Sequence, residues 1–278
     1  MSTPSRSQVV LITGASSGMG KEAAKLLLRQ GHVVYTAARR IELMQDLQAL
    51  GAHPLKMDVT DEAQMLKGIA QITATHGGVD VLVNNAGFGI YGAMEDTTMA
   101  DARYQFDVNF FGLARMTQLV LPHMRSQQRG RIINISSMGG KMYTPLGSWY
   151  HATKHALEGW SDCLRLELAP FGIQVVILEP GIIATEFGDV VTGPLLQRSG
   201  TGPYAELAHI VAKATGDAYS KPNAASPASV IADVIAEAIS ASRPKTRYVA
   251  GKMAKPLMFI RKWFGDRFFD KAVMSQMK

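Results

Sequence analysis

The chain has 278 residues, 47% hydrophobic and 19% charged, which suits one large globular domain with a substantial core and excludes a composition-driven disordered chain. A single cysteine, Cys163, excludes an intrachain disulfide and fits a reducing compartment. The net charge of +6 draws anionic ligands or surfaces, but the absence of a recognised nucleic-acid module argues against nucleic acid as a partner. The first residues, Met1 to Gln8, lack the apolar core of a signal peptide, and no stretch approaches the roughly 20 apolar residues of a membrane span, so a cytoplasmic location is expected.

Gln8 to Thr13 contains the apolar run of a buried strand, Val-Val-Leu-Ile. It leads into Thr13-Gly14-Ala15-Ser16-Ser17-Gly18-Met19-Gly20, and a helical pattern follows from Lys21 to Gln30. Glycines let backbone approach a pyrophosphate, and the free N–H groups of a helix start hold its charge. The spacing is Gly-x-x-x-Gly-x-Gly, and its position between strand and helix favours a dinucleotide over a plain tight turn.

The second strand, Val33 to Ala38, carries Arg39 and Arg40 at its tip. An NAD site places an acid there for the ribose 2′-hydroxyl, whereas arginine accommodates the 2′-phosphate of NADP. The nearest acid is Glu42, on the following helix, so the tip favours NADP(H); solvated loop charges are the other reading. A helix over Ile41–Leu50 and a strand over His53–Met57 follow, ending at Asp58-Val59. Asp58 can accept from an adenine amino group, cap the helix that begins near Asp61, or do both. Helix 61–75 stops at His76-Gly77-Gly78, and the strand Val79 to Val83 runs into Asn84-Asn85-Ala86-Gly87.

Residues 99–127 read as one long helix, broken near its start, with Asn109 inside an apolar stretch. That amide either satisfies a local kink or orders a water beside Lys154. The strand Arg131 to Ile135 delivers Ser136-Ser137, and a helix from about Ser148 to Phe171 carries Tyr150 and Lys154. Residues i and i+4 share a helix face, so phenol and ammonium point into the same space, and a nearby cation favours the phenolate. The strand Ile173 to Leu178 ends in Glu179-Pro180-Gly181-Ile182-Ile183-Ala184-Thr185. Alternating strands and helices predict an α/β fold, a doubly wound parallel sheet of Rossmann type with ligands at the carboxyl ends of the strands. The glycine turn, Arg39, Asp58, Asn84 to Gly87 and Ser137 all fall at such ends.

These motifs resemble the short-chain dehydrogenase/reductase family over residues 8 to about 250: the glycine turn, Asn-Asn-Ala-Gly, Asn109, Ser137 with Tyr150-x-x-x-Lys154, and Pro180-Gly181 followed by Thr185. The resemblance implies Tyr150 as general acid/base and Ser137 as hydrogen-bond partner of the substrate oxygen. It implies that Lys154 lowers the tyrosine pKa and contacts the nicotinamide ribose, and that Asn109 supports a proton-relay water. The implied cofactor site takes Gly14, Ser16, Ser17, Gly18, Met19 and Gly20 at the pyrophosphate, Arg39 and Arg40 at the 2′-phosphate, and Asp58 and Val59 at adenine. Asn85, Ala86 and Gly87 line its cleft, and Pro180, Gly181, Ile183 and Thr185 hold the nicotinamide side with Tyr150 and Lys154. No metal is implied. The pattern is most similar to the hydroxysteroid and retinol dehydrogenase branch.

The domain therefore spans 1–250, and the resemblance implies a substrate lid over about 186–226, a loop-rich, glycine-containing stretch that suits a mobile lid. Phe187, Val190, Val191, Leu195, Leu196, Tyr204 and Leu207, with Met138, Tyr143, Leu146 and Trp149, are candidates to line an apolar substrate pocket or to pack on the core. A helix over 227–242 and a strand over 246–250 complete the domain, and residues 251–278 form a basic amphipathic extension. Packing on its own domain, a subunit contact and a membrane-surface helix are its three readings, the first favoured. The resemblance further implies pairing through the helices near 101–126 and 149–170, giving a homodimer or homotetramer. The expected activity is NADP(H)-dependent hydride transfer on an apolar secondary alcohol or ketone. A primary alcohol or aldehyde substrate, or a nucleotide-binding protein without turnover, are the alternatives.

Overall fold

Runs such as Val9–Thr13 are buried at every residue, because a parallel sheet covered by helices on both faces has no solvent side. The computed structural model describes residues 7–221 and 223–275. In chain order its elements are β1 (Val9–Thr13), α1 (Gly18–Arg29), β2 (Val33–Ala38), α2 (Gln45–Ala49), β3 (His53–Lys56), α3 (Glu62–His76) and β4 (Val81–Asn84). There follow α4 (Met99–Phe106), α5 (Gly112–Ser126), β5 (Gly130–Ile135), α6 (Ser148–Leu168), β6 (Ile173–Pro180) and β7 (Ile183–Ala184). The chain then forms α7 (Phe187–Ser199), α8 (Ala205–Ser220), β8 (Ser226–Pro227), α9 (Ser229–Ser240), β9 (Arg247–Ala250) and α10 (Ala254–Ser275).

Among the described residues seven strands form one parallel sheet in the order β3-β2-β1-β4-β5-β6-β9. The order reverses beside β1: the chain fills β2 and β3 on one side, then crosses to β4 on the other. The loops that follow β1 and β4 part there and leave a crevice. One face of the sheet packs α1, α2 and α9 through Leu27, Leu47, Ile231 and Ile235. The other packs α3, α5 and α6 through Ile72, Met116, Met124 and Leu164.

The long helix expected over 99–127 is α4 and α5 joined by a π-helical turn at Asp107–Phe111, and Asn109 sits in that turn. The turn is a single-turn bulge of the kind that collects at functional sites. The segment expected to form a lid is not loop-rich. Residues 187–220 are mostly the helices α7 and α8, packed on each other through Leu195, Ala208, Val211 and Ala212. Its glycines misled the sequence reading: Gly193 and Gly216 sit within helices where open space surrounds them, and the apolar faces override their weak helix propensity. The extension after β9 is the helix α10, interrupted at Gly265, whose φ of 72° lies in the left-handed region.

Candidate active site

The crevice at the ends of β1 to β4 is a cleft of about 360 Å³. Gly14, Ser16, Ser17, Gly18, Met19, Arg39, Arg40, Asp58, Val59, Asn85, Ala86, Gly87 and Thr185 all line it. Thr13 and Asn85 hold its two banks together. The backbone N–H groups of Asn85 and Ala86 donate to Thr13 Oγ1 at 3.1 Å, and Asn85 Nδ2 donates to the carbonyls of Thr13 and Gly14 at 3.0 and 2.9 Å. Gly14 has φ of 66°, and a Cβ there would lie 2.7 Å from Ala86 Cα. Gly20 does not line the cleft; it lies under the Asn85 amide, where a Cβ would approach Nδ2 to 2.5 Å. The bare main chain and a helix start at Ser17 with no side-chain cap fit a dinucleotide pyrophosphate.

Arg39 and Arg40 are both exposed at the rim, and Arg39 Nη1 donates to the Tyr104 hydroxyl at 2.9 Å. Asp58 accepts from the N–H and hydroxyl of Thr60 at 2.9 and 2.8 Å. The cap of α3 is Asp61, whose Oδ1 accepts from Gln64 N–H, so Asp58 is left to the cleft and does not serve as the helix cap.

A second cavity of about 150 Å³ opens beside the cleft and contains Ser137, Tyr150 and Lys154 together with Pro180, Gly181 and Ile183. Met19, Asn85, Gly87, Phe88, Thr185 and Phe187 line both spaces, so the two are one continuous site. Tyr150 is buried, and burial pushes its phenol up against the opposing hydrogen bond of the Ser137 hydroxyl. The expected lowering by Lys154 is not what dominates: the lysine Nζ lies 6.0 Å from the Tyr150 ring centroid and donates to the Ile135 carbonyl at 2.8 Å. Burial brings Lys154 itself down to about 8, opposed by Glu158 one turn further along α6.

Asn109 does not line either space. Its Oδ1 accepts from Phe88 N–H at 3.0 Å, and its Nδ2 donates to the Phe88 carbonyl at 2.9 Å and to Thr153 Oγ1 at 3.2 Å. The amide thus pins the cleft wall onto the π turn, close behind Gly87 and the Lys154 ammonium.

Several residues of this site escaped the sequence reading. His151, next to Tyr150, is buried and binds both ends of the segment 139–144. Its Nδ1 lies 2.9 Å from the Gly139 carbonyl, and its Nε2 accepts from Thr144 N–H at 3.1 Å. A carbonyl only accepts, so Nδ1 carries the proton. Gly139 N–H in turn donates to Ser137 Oγ at 2.9 Å. Burial lowers the imidazole to about 4, which keeps it neutral.

Tyr91 and Phe187 flank the Tyr150 ring at 5.8 and 5.6 Å, and Tyr219 follows Phe187 at 6.0 Å. Only the fold brings 91, 150, 187 and 219 together. Glu158 and Glu179 meet behind Lys154, where Lys141 and Arg247 pair with Glu158 at 2.9 and 3.2 Å. Burial and the neighbouring Glu158 push the Glu179 carboxyl up.

The expected pocket lining holds in part. Met138 and Phe187 line the cavity, and Val190 lines the cleft. Leu195 is buried between α7 and α8, with Leu196 and Leu207 packed on it. Tyr143 turns away to α10, and Leu146 packs with Tyr91 on the α7–α8 core. Trp149 and Tyr204 line neither space.

A doubly wound sheet thus carries, at its topological switch, a cleft that opens into a cavity holding a hydroxyl, a phenol and a lysine. Residues 8–192 match the family described as short chain dehydrogenase. The chain belongs to that family. A 3-ketodihydrosphingosine reductase of Bacteroides thetaiotaomicron is 45% identical over 183 residues, 66% of each chain, so the match spans just under two thirds of that relative. The crystal structure of a short-chain dehydrogenase from Streptomyces avermitilis superposes with TM-score 0.79 at 36% identity, covering 93% of this chain and 92% of the other. A serine dehydrogenase complexed with NADP+ superposes with TM-score 0.75 at 27% identity, covering 88% and 94%.

Proposed function

We propose that the protein is an NADP(H)-dependent carbonyl reductase or alcohol dehydrogenase acting on an apolar ketone or secondary alcohol, with Tyr150 as general acid/base. The observation that carries this reading is the cavity that gathers Ser137, Tyr150 and Lys154 and opens into the cleft. Bound NADP(H) supplies or accepts the hydride. In reduction the Ser137 hydroxyl donates to the substrate oxygen, and Tyr150 gives its proton to the oxygen as the alkoxide develops. A phenol pushed up by burial is a proton donor at neutral pH, which suits reduction. Lys154 and the Asn109 amide hold the wall beside the phenol. Oxidation of the alcohol runs the same transfers in reverse.

Two arginines at the tip of β2, with no acid beside them, support the 2′-phosphate, and the relative with bound NADP+ agrees with it. The aromatic wall of Tyr91, Phe187 and Tyr219 supports an apolar substrate, and one relative is named for reducing a ketone. Phe111 and Leu166, 56% and 70% exposed on the α4–α5 and α6 surfaces, support pairing of two chains there.

Fluorescence titration with NADPH and NADH, followed by turnover on a panel of apolar ketones, tests the reading. NADPH should bind at least about tenfold tighter, a difference of about 1.4 kcal/mol. Arg39→Ala should remove most of that preference, and Tyr150→Phe should lower kcat by about 10²- to 10⁴-fold with NADPH affinity kept. Equal losses of NADPH and NADH affinity in Arg39→Ala would remove the 2′-phosphate contact. Unchanged turnover in Tyr150→Phe would remove the acid/base role.

A further inference from the structure

The outer face of α10 carries rings and cations that the described residues leave uncovered. Phe259, Trp263, Phe264 and Phe268 are 57%, 65%, 54% and 50% exposed. They form one patch: Phe259 lies 6.3 Å from both Trp263 and Phe264, and Phe264 stacks on Phe268 at 4.9 Å. Single exposed apolar residues are ordinary, but a contiguous aromatic patch marks an interaction site.

Lys255, Lys262, Arg267 and Lys271 are exposed on the same helix, and the Lys262 ammonium lies 5.2 Å over the Trp263 ring. Between Lys252 and Ser275 there are six lysines and arginines and two aspartates. Both carboxylates are engaged, Asp266 with Arg261 at 2.7 Å and Asp270 with the Tyr143 hydroxyl at 2.8 Å. The opposite face fastens the helix to the body. Phe269 is fully buried with its ring 5.2 Å from that of Tyr143, and the Arg261 guanidinium covers Tyr143 at 5.2 Å. The patch is therefore held outward on a docked helix.

Two occupants compete for such a face. Lysine is depleted from the cores of protein interfaces, and a second copy would bring like charge against like charge. Aromatic rings interleaved with cations match the boundary of an anionic bilayer, where rings seat between headgroups and acyl chains and cations meet the lipid phosphates. No described helix is long and apolar enough to cross a membrane, so the helix would lie along the surface.

We propose that α10 docks the protein on an anionic phospholipid surface through Phe259, Trp263, Phe264 and Phe268 and the cations between them. The docked face adjoins the site: Tyr143, which α10 grips, stands between Met142 and Thr144, and both line the second cavity. An apolar substrate would then enter from the lipid side, a corollary that rests on the function proposed above; the docking itself does not.

The test is flotation of the full chain with two kinds of vesicle, mixed phosphatidylglycerol–phosphatidylcholine and phosphatidylcholine alone, at low and high salt. Recovery on the anionic vesicles should be at least about tenfold greater and should fall with salt. Replacing Phe259, Trp263, Phe264 and Phe268 together by serine should abolish recovery on both. Replacing Lys255, Lys262, Arg267 and Lys271 by glutamine should abolish the anionic preference. All eight side chains are exposed, so both variants should keep the wild-type circular dichroism and melting temperature. Equal recovery on the two vesicles, no recovery, or recovery untouched by both variants would overturn the proposal. A concentration-dependent dimer lost in the serine variant, without vesicle binding, would overturn it and assign the patch to a second copy.

Discussion

His151 couples the pH response of the fold to the placement of Ser137. Its neutral ring closes two hydrogen bonds across the segment 139–144, and Gly139 passes the restraint to Ser137 Oγ. Protonation would put a second proton on Nε2, facing the Thr144 N–H it now accepts from and leaving the Thr144 hydroxyl, also 3.1 Å away, as its acceptor. The folded state therefore resists protonation, and burial holds the ring at about 4 against the ordinary 6.5. The sign follows from linkage: a base held low in the folded state costs nothing above pH 6.5, and stability is lost as pH falls from 6.5 to 4. The full loss is about 3 kcal/mol, of which about 2 kcal/mol has accrued by pH 5. The neighbouring His155 adds to the resistance, and its own Nδ1 lies 2.9 Å from the His151 carbonyl.

His151→Gln removes the titration and at least one of the two bonds. We expect it to be about 1–2 kcal/mol less stable than the wild type at pH 7.5 in urea denaturation. At pH 5 that gap should close or invert, because only the wild type pays for protonation. Comparing the two proteins cancels the other lowered histidines, buried His32 and exposed His53, the latter lowered by partial desolvation and the nearby His76. In turnover, a displaced Ser137 should raise KM for the ketone and lower kcat while NADPH affinity stays constant. A stability gap that is the same at pH 7.5 and pH 5 to within about 0.5 kcal/mol would refute the reasoning.

Lys154→Met should sever function from stability. Burial disfavours the ammonium, so the variant should melt no lower than wild type at pH 7, yet ketone turnover should fall by about 10²-fold or more. A lower melting temperature would show that the bond to the Ile135 carbonyl outweighs the burial of charge. Gly20→Ala places a methyl 2.5 Å from Asn85 Nδ2 and 2.7 Å from the Gly14 carbonyl. It should cost about 1–3 kcal/mol in chemical denaturation and weaken NADPH binding, since Asn85 holds the glycine turn closed. Phe187→Ala opens the wall between the cleft and the second cavity. KM for bulky apolar ketones should rise by about tenfold with little change in kcat, about 1–2 kcal/mol of lost contact; an unchanged KM would place the substrate away from Phe187.

Local chemistry decided much of this protein before any tertiary contact formed. The strand runs Val9–Thr13 and Val33–Ala38 announce themselves because both faces of a parallel strand are buried, leaving no polar alternation. The glycine turn is legible because Gly14 needs a left-handed φ and Gly20 has no room for a methyl. Tyr150 and Lys154 could be placed in one space from helical spacing alone.

What stayed hidden depends on residues far apart in sequence or on competition between forces. The glycine count from Gly188 to Gly216 pointed to loops, but apolar faces on α7 and α8 bury each other and outweigh single-residue propensity. The lysine next to the phenol was expected to set its pKa, yet the Ile135 carbonyl draws the ammonium aside, and burial governs the titration. His151 looked like any helical histidine until the fold wrapped Gly139 and Thr144 onto its two nitrogens. The aromatic wall joins residues 91, 150, 187 and 219, separations that no periodicity connects. Sequence by itself thus determined the sheet, the glycine turn and the shared helix face of Tyr150 and Lys154, whose signals are short-range and geometric. Tertiary structure alone decided the protonation, the pocket wall and the exposed face of α10, because burial and long-range packing set each of them.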